Sequence, residues 1–270
     1  MRPDTRRGML AVAVLVAVAF LGLAVTSLYA ATARTASAAS SRTGVLGPDP
    51  RPQPWPSGAA TSDPQGTDHP VDLEQHLDRM RQLGRLNGAT RQPLITGGPA
   101  SQPDLFAGEF VRRLFTQDYN TPRADLLAWV QAESTPVADP LVVGLVPSGL
   151  RDRFAVYSVT DTSDGPSPVP TAPEWAALTA GHATTTVRID RVLEPDAWSN
   201  AVQAGRITDP GTTARLVAAT LTRHTGEAGR RGTETFSVAV SLNLEGPPTR
   251  ADWRFVTAVT YTVVPLVGAS

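Results

Sequence analysis

The chain has 270 residues, with 24 basic and 25 acidic side chains and a formal charge of −1 at pH 7. That balance gives no electrostatic reason to expect nucleic acid or an acidic polymer as the main partner. Every basic residue is an arginine and cysteine is absent. The first fact removes phosphate-loop, Schiff-base and Ser/Lys chemistry; the second removes thiol nucleophiles, thiolate metal sites and disulfides.

The heavy use of Arg, Ala, Pro and Gly is what a GC-rich coding sequence produces, and points to a high-GC bacterium. Residues 1–8 carry Arg2, Arg6 and Arg7 against Asp4, and residues 8–33 carry no charge. The stretch 9–28 is almost wholly Ala, Val, Leu, Phe and Gly, which matches the roughly 20 apolar residues that span a bilayer. The reading is a transmembrane helix at 9–31, with residues 1–8 in the cytoplasm by the positive-inside bias and the remainder extracytoplasmic. A cleaved signal peptide is the alternative, since Ala30, Ala36 and Ala38 supply small residues, although the apolar run exceeds the roughly 7–15 residues usual for such a segment.

Residues 32–70 are rich in Ala, Ser, Thr, Gly, Asp and Pro, with Pro48, Pro50, Pro52, Pro54 and Pro56 alternating with other residues. Such a segment has too little to bury for a core and favours an extended, semi-rigid course, so it is read as a tether. Residues 71–86 change character: Leu73, Leu77, Met80 and Gly84 follow a helical spacing, with Asp72, Glu74, Asp78, Arg79 and Arg81 on the other side. This predicts an amphipathic helix that either packs on the following domain or self-associates. Residues 87–103 read as a linker with Gly and Pro punctuation.

The extracytoplasmic domain is placed at 104–270. Ser101-Gln102-Pro103-Asp104 is a helix start, with Ser101 as the expected cap. Phe106, Phe110 and Leu114 at i, i+4 and i+8, flanked by Val111 and Phe115, form one apolar face. Thr121-Pro122 starts a second helix through Leu126, Leu127 and Val130, ending near Glu133. Residues 141–162 are left as a short helix or a strand, because 154–160 alternate as a strand would, and 161–173 read as a Ser/Asp/Pro loop. Four strands follow, at 184–193, 214–224, 236–244 and 253–263, with a possible helix at 196–205 before the second. In the third, Phe236, Val238, Val240, Leu242 and Leu244 share one face; in the fourth, Trp253, Phe255, Val259, Tyr261 and Val263 are expected to do so. Helices followed by antiparallel strands with one apolar face imply an α+β fold, a curved four-stranded sheet around two or three N-terminal helices.

Taken together, the Arg-bearing N-terminus, single apolar segment, linker, the helix marked by Ala107, Phe110, Leu114 and Phe115, then Tyr119, Thr121-Pro122, Leu126 and four long strands resemble a known family. The layout is similar to the bitopic conjugal-transfer scaffolds of type IV secretion systems, in the TcpC-like form of Gram-positive bacteria. The resemblance implies a cone-shaped, nuclear-transport-factor-like domain and a non-enzymatic assembly role. It also implies other envelope-complex subunits as partners, a possible homo-oligomer, the membrane contacted through 9–31 and no direct sequence-specific nucleic acid. The same architecture is similar to membrane proteins associated with Mce-type lipid importers, which makes an accessory role in lipid import, or a small-molecule enzyme or binder using the cone, the alternatives.

No metal, hydrolase, dinucleotide or EF-hand motif is found: His69, His76, His182 and His224 form no HExxH pattern. No catalytic residue, metal or cofactor is therefore expected. Cone-shaped folds that are enzymes use an Asp base and a Tyr deep in the cup, so Asp118, Tyr119, Tyr157 and Tyr261 are the residues weighed against that role. Phe110, Leu114 and Tyr261 are the candidate cavity-lining residues. Asp161 and Asp164 read as solvated loop acids, and Arg230 and Arg231 as a candidate surface contact at a hairpin tip.

Overall fold

The computed structural model describes residues 70–84, 86, 90, 92–163, 165–227 and 230–266. The membrane helix expected at 9–31 and, but for Pro70, the tether expected at 32–70 lie outside them. Among the described residues no helix is long and apolar enough to cross a membrane. The chain divides into two units, 1–74 and 75–270. Of the first, only the opening turn of a helix, 70–74, is described.

The elements are helix α1 (Pro70–Gln82), α2 (Pro103–Phe115), strand β1 (Gln117–Asp118), α3 (Arg123–Glu133), α4 (Pro140–Val143), α5 (Arg151–Thr160), α6 (Ala172–Ala180), β2 (Thr184–Leu193), α7 (Asp196–Gln203), β3 (Thr212–Glu227), β4 (Arg230–Glu245) and β5 (Arg254–Leu266). The five strands form one curled antiparallel sheet, a half-barrel, in the order β1-β2-β3-β4-β5. The architecture is thus α+β, and the sheet has one short strand beyond the four long ones expected.

Helix α2 follows its pattern. Pro103 opens it, Asp104 sits in its first turn and Arg112 and Arg113 in its last, each charge complementing the helix dipole. Phe106 and Phe110 are fully buried and Leu114 is 1 % exposed. The expected cap is corrected: Gln102 is the capping position and makes no side-chain cap, while the Ser101 hydroxyl donates to the Gly98 carbonyl at 2.8 Å. A short 3₁₀ turn at Gly98–Ser101 claims that hydroxyl first. Likewise Thr121 is not the cap of α3. Its hydroxyl donates to the Asp118 carbonyl at 2.7 Å, and Pro122 takes the capping position.

Of the two outcomes left open for 141–162, the helix is the one found, at Pro140–Val143 and Arg151–Thr160. Residues 172–180, read in part as loop, form α6 behind a Thr171/Glu174 capping box. The segment 87–103, read as linker, supplies Ile95 and Ala100, both fully buried, to the core.

Alternation on the sheet divides its side chains between two cores. Val217, Ala219 and Leu221 of β3 and Val238, Val240, Leu242 and Leu244 of β4 pack with α2, α3 and part of α5 in the main core. Ala214, of opposite parity on β3, joins a second core with Met80, Val142, Val143, Tyr157, Trp198 and Val256. On β5 the expected alternation fails. Leu242 opposes Ala258 and Ser241 opposes Thr260, leaving Val259 unopposed; Leu244 opposes Phe255 and Asn243 opposes Thr257, leaving Val256 unopposed. These bulges bring Ala258, in place of Val259, onto the main core beside Phe255, Tyr261 and Val263.

At one corner the chain passes too closely for any side chain. The Gly246 N–H donates to the Gly211 carbonyl at 2.8 Å, and a Cβ on Gly246 would run into the indole of Trp253. Gly246→Ala is expected to cost about 1–3 kcal/mol of stability, the usual range for overpacking. Thermal denaturation measures it, and an unchanged melting temperature would contradict this packing.

Candidate functional site

A group of interacting polar side chains joins α1 to the end of α5. Leu77 and Met80 bury one side of α1, at 5 % and 2 % exposure. His76 and Arg79 project from the same helix toward Tyr157, on α5, and Asp161, which caps that helix's end.

The Tyr157 hydroxyl donates to Asp161 Oδ2 at 2.6 Å and lies 2.5 Å from His76 Nδ1, while Arg79 Nε donates to it at 3.4 Å. Asp161 also receives the Ser163 hydroxyl at 2.5 Å and has His76 Nδ1 at 3.3 Å and Arg79 Nε at 3.4 Å. Arg79 Nη2 is 3.1 Å from the same imidazole nitrogen.

The electrostatics assign the protons. Burial raises the Asp161 carboxyl, but hydrogen bonds from Ser163 and Tyr157 and the charges of Arg79 and His76 outweigh it and hold the group below the ordinary carboxylate range. Burial, then the neighbouring Asp161, pushes the Tyr157 phenol up to about 12. At neutral pH the site is a carboxylate held by neutral and cationic donors. Such an arrangement fastens one helix to another. Asp161 is therefore an anchoring acid, where the sequence suggested a solvated one.

The residues weighed from the sequence fall in different places. Phe110 and Leu114 do not face open space: Phe110 lies in a ring stack, its centroid 4.3 Å from Phe255, 5.2 Å from Trp129 and 6.1 Å from Phe106. Their helix face is the floor against which the sheet closes, so the i, i+4, i+8 pattern marks core. Tyr261 stacks on Phe115 at 5.7 Å near the other end of the same core and is partly buried. Burial raises its phenol to about 12, Tyr119 adds to the shift and Arg223 opposes it. Tyr119 is 5 % exposed, meets Trp175 edge-on at 4.8 Å and accepts from the Thr185 hydroxyl at 3.4 Å.

Asp118 serves its own turn, accepting from the backbone and side chain of Asn120 at 3.0 and 2.7 Å. His182 meets Asn120 and His224 meets Thr233, both as exposed contacts. Arg230 and Arg231 open β4, opposite Glu227 and Gly226 in register, and their side chains lie outside the description. His69 and Asp164 lie outside the described residues. No cluster of three His, Cys, Asp or Glu side chains suited to a metal occurs among the described residues.

Sequence reasoning missed Arg79 and Arg223. Arg79 was read as part of a solvated helix face, and its partner lies far along the chain. Arg223 had a local signal: the parity of Val217, Ala219 and Leu221 continues to it, placing a guanidinium at the end of an apolar row.

Two measurements test this description. Replacing Phe110 by Ala is expected to cost about 3–5 kcal/mol, as for a close-packed aromatic. A loss of a few tenths in chemical denaturation would instead indicate a side chain against open space. In an alkaline absorbance titration, Tyr157 and Tyr261 should ionise near pH 12, and Tyr157→Phe and Tyr261→Phe should each remove one late step. The unfolded chain loses these protons near 10.0. Their contribution to stability is thus complete below that pH and lost as the pH rises toward about 12. Asp161 behaves oppositely, its contribution falling away as the pH drops below the carboxylate range. No family model, no curated protein and no solved structure matches this chain.

Proposed function

We propose that this protein is a membrane-anchored, non-enzymatic assembly subunit of a conjugal transfer machine of the type IV secretion class. In this reading a cone-shaped, nuclear-transport-factor-like domain stands on the outer side of the cell membrane. The observation that carries the reading is the order of parts in one chain: an uncharged segment at 8–33 behind Arg2, Arg6 and Arg7, a Pro-rich stretch, and a curled sheet closed on the Phe106/Phe110/Leu114 face. The filled interior supports it, because a domain whose concave face is occupied by its own aromatic side chains offers its outer surfaces to partners.

The polar cluster supports the same role. A helix held by both buried Met80 and a charge-assisted network is a firm point at which a tether enters a domain. Partners are then other subunits of the envelope complex, and the lipid bilayer through residues 9–31.

Deletion of residues 75–270 in the bacterium carrying the gene should reduce conjugal transfer to background while DNA processing in the donor continues. Protease added to intact cells should remove the same region. Normal transfer in the deletion strain would overturn the reading. Loss of lipid uptake with transfer intact would move the protein to a lipid importer.

A further inference from the structure

Near Tyr261 the main core ends in a group of hydrogen-bond donors, one of which, Arg223 Nε, is buried with no partner among the described residues. Arg223 continues the core-facing row of β3, and its guanidinium lies over the Phe236 ring at 4.9 Å. Its Nε is buried without a hydrogen-bond partner. Its one ion contact among the described residues is Glu234 at 3.7 Å, beyond hydrogen-bond range, and that carboxylate is 61 % exposed.

Directly across the ladder from Arg223 is Thr185, which places their Cβ atoms about 4.5–5.5 Å apart. The Thr185 hydroxyl donates to the Tyr119 phenol at 3.4 Å, which places that phenol beside the Arg223 row. The Tyr261 hydroxyl makes no hydrogen bond among the described residues. Its shift records both neighbours: Tyr119 raises it and Arg223 lowers it. With that phenol neutral to about pH 12, it is a donor at physiological pH.

Three donor-bearing side chains are thus neighbours beside aromatic rings, and among the described residues Arg223 Nε is the buried atom of the three that has no hydrogen-bond partner. The other nearby carboxylate, Glu174, is engaged in capping Thr171 with both a hydroxyl and a backbone N–H. A buried donor without an acceptor is a cost that the fold bears, and a ligand supplying acceptor oxygens relieves it.

We propose that Arg223, Tyr119 and Tyr261 form a binding site for a small organic anion, a carboxylate or phosphate headgroup on an apolar body. The headgroup takes the forked N–H groups of Arg223 and the two phenols. The apolar body lies against the partly buried ring of Phe236, on which the arginine already rests. This goes beyond the assembly role, and a scaffold without the site and a site without the scaffold are separable outcomes.

The probes are 1-naphthoate and 1-naphthyl phosphate, with uncharged 1-naphthalenemethanol as control. They are titrated calorimetrically into the full chain in phosphatidylcholine nanodiscs, against empty nanodiscs. At least one anion is expected to saturate one site, and comparison of the two distinguishes a carboxylate from a phosphate headgroup. Arg223→Met keeps the aliphatic stem and should weaken the anion about tenfold or more, as loss of a charge-assisted pair does, leaving the alcohol unchanged. Tyr261→Phe keeps the ring stack and should weaken it by a smaller factor. Saturation by neither anion, or wild-type affinity in Arg223→Met, overturns the proposal. Should Arg223→Met fail to fold, Tyr261→Phe decides alone: weakened anion binding upholds the site and unchanged binding overturns it.

Discussion

A sheet that curls needs something to curl around, and here it is the Phe110 ring. Phe106, Trp129 and Phe255 stack on it from its own helix, the next helix and the last strand, so one side chain ties together three elements far apart in sequence. The neighbouring charges are organised around the same contact. Fully buried Glu133, at the end of α3, receives the Ile95 N–H at 2.5 Å and Arg254 Nη1 at 3.1 Å. Burial raises that carboxyl, opposed by the Ile95 N–H and by Arg254. Arg254 directly precedes Phe255, so the buried pair fixes β5 where the ring stack requires it. Removing Arg254 would leave the fully buried Glu133 carboxylate without its cation, the costly way to break such a pair.

How much of this was legible in the sequence depended on how sharply each element separates an apolar row from the rest. Helix α2 buries one face, so a period near four stood out. Strand β4 buries both faces from Val238 to Glu245, but one row is Val and Leu while the other is Ala, Ser and Asn, so a period of two still stood out; the strand begins at Arg230, ahead of the 236 expected. Helix α5 is different. Ala155, Val156 and Val159 enter the main core while Tyr157 enters the second, with Phe154 packed against it. An element buried on two sides has no single stripe, and the β-branched Val156, Val159 and Thr160 then imitate a strand. Helix α6 was missed for another reason: it is short, Ala-rich and buries only Trp175. Its start was nevertheless written in Thr171, Pro173 and Glu174, a capping box with an early proline.

The polar groups were less legible because their meaning is non-local. His76 and Tyr157 are 81 residues apart, and nothing around either one names the other. The bulges on β5 belong to the same class. They follow from closing the sheet onto Phe110, and no residue type at Val256 or Val259 announces them. Local pattern thus gave the fold class and most elements, whereas the site residues other than the tyrosines had to come from tertiary contacts.

The two edges of the sheet bear on whether another chain can add to it. Beyond its two-residue pairing with β1, β2 is open, but it carries a bulge at Asp190 and the exposed pair Arg188 and Asp190, 2.8 Å apart. The other edge, β5, is covered in its first half: the Thr135 N–H donates to the Phe255 carbonyl at 2.8 Å, and the Ala258 N–H donates to the Ser158 hydroxyl at 2.9 Å. Further along, Pro265 removes one N–H from the strand. A bulge with charge, a covering segment and a proline are separate means of preventing another strand from adding on. With both edges blunted, association through extension of the sheet is disfavoured. Any contact with another chain would then fall to side chains on helices and loops, whose chemistry can vary while the aromatic core stays the same.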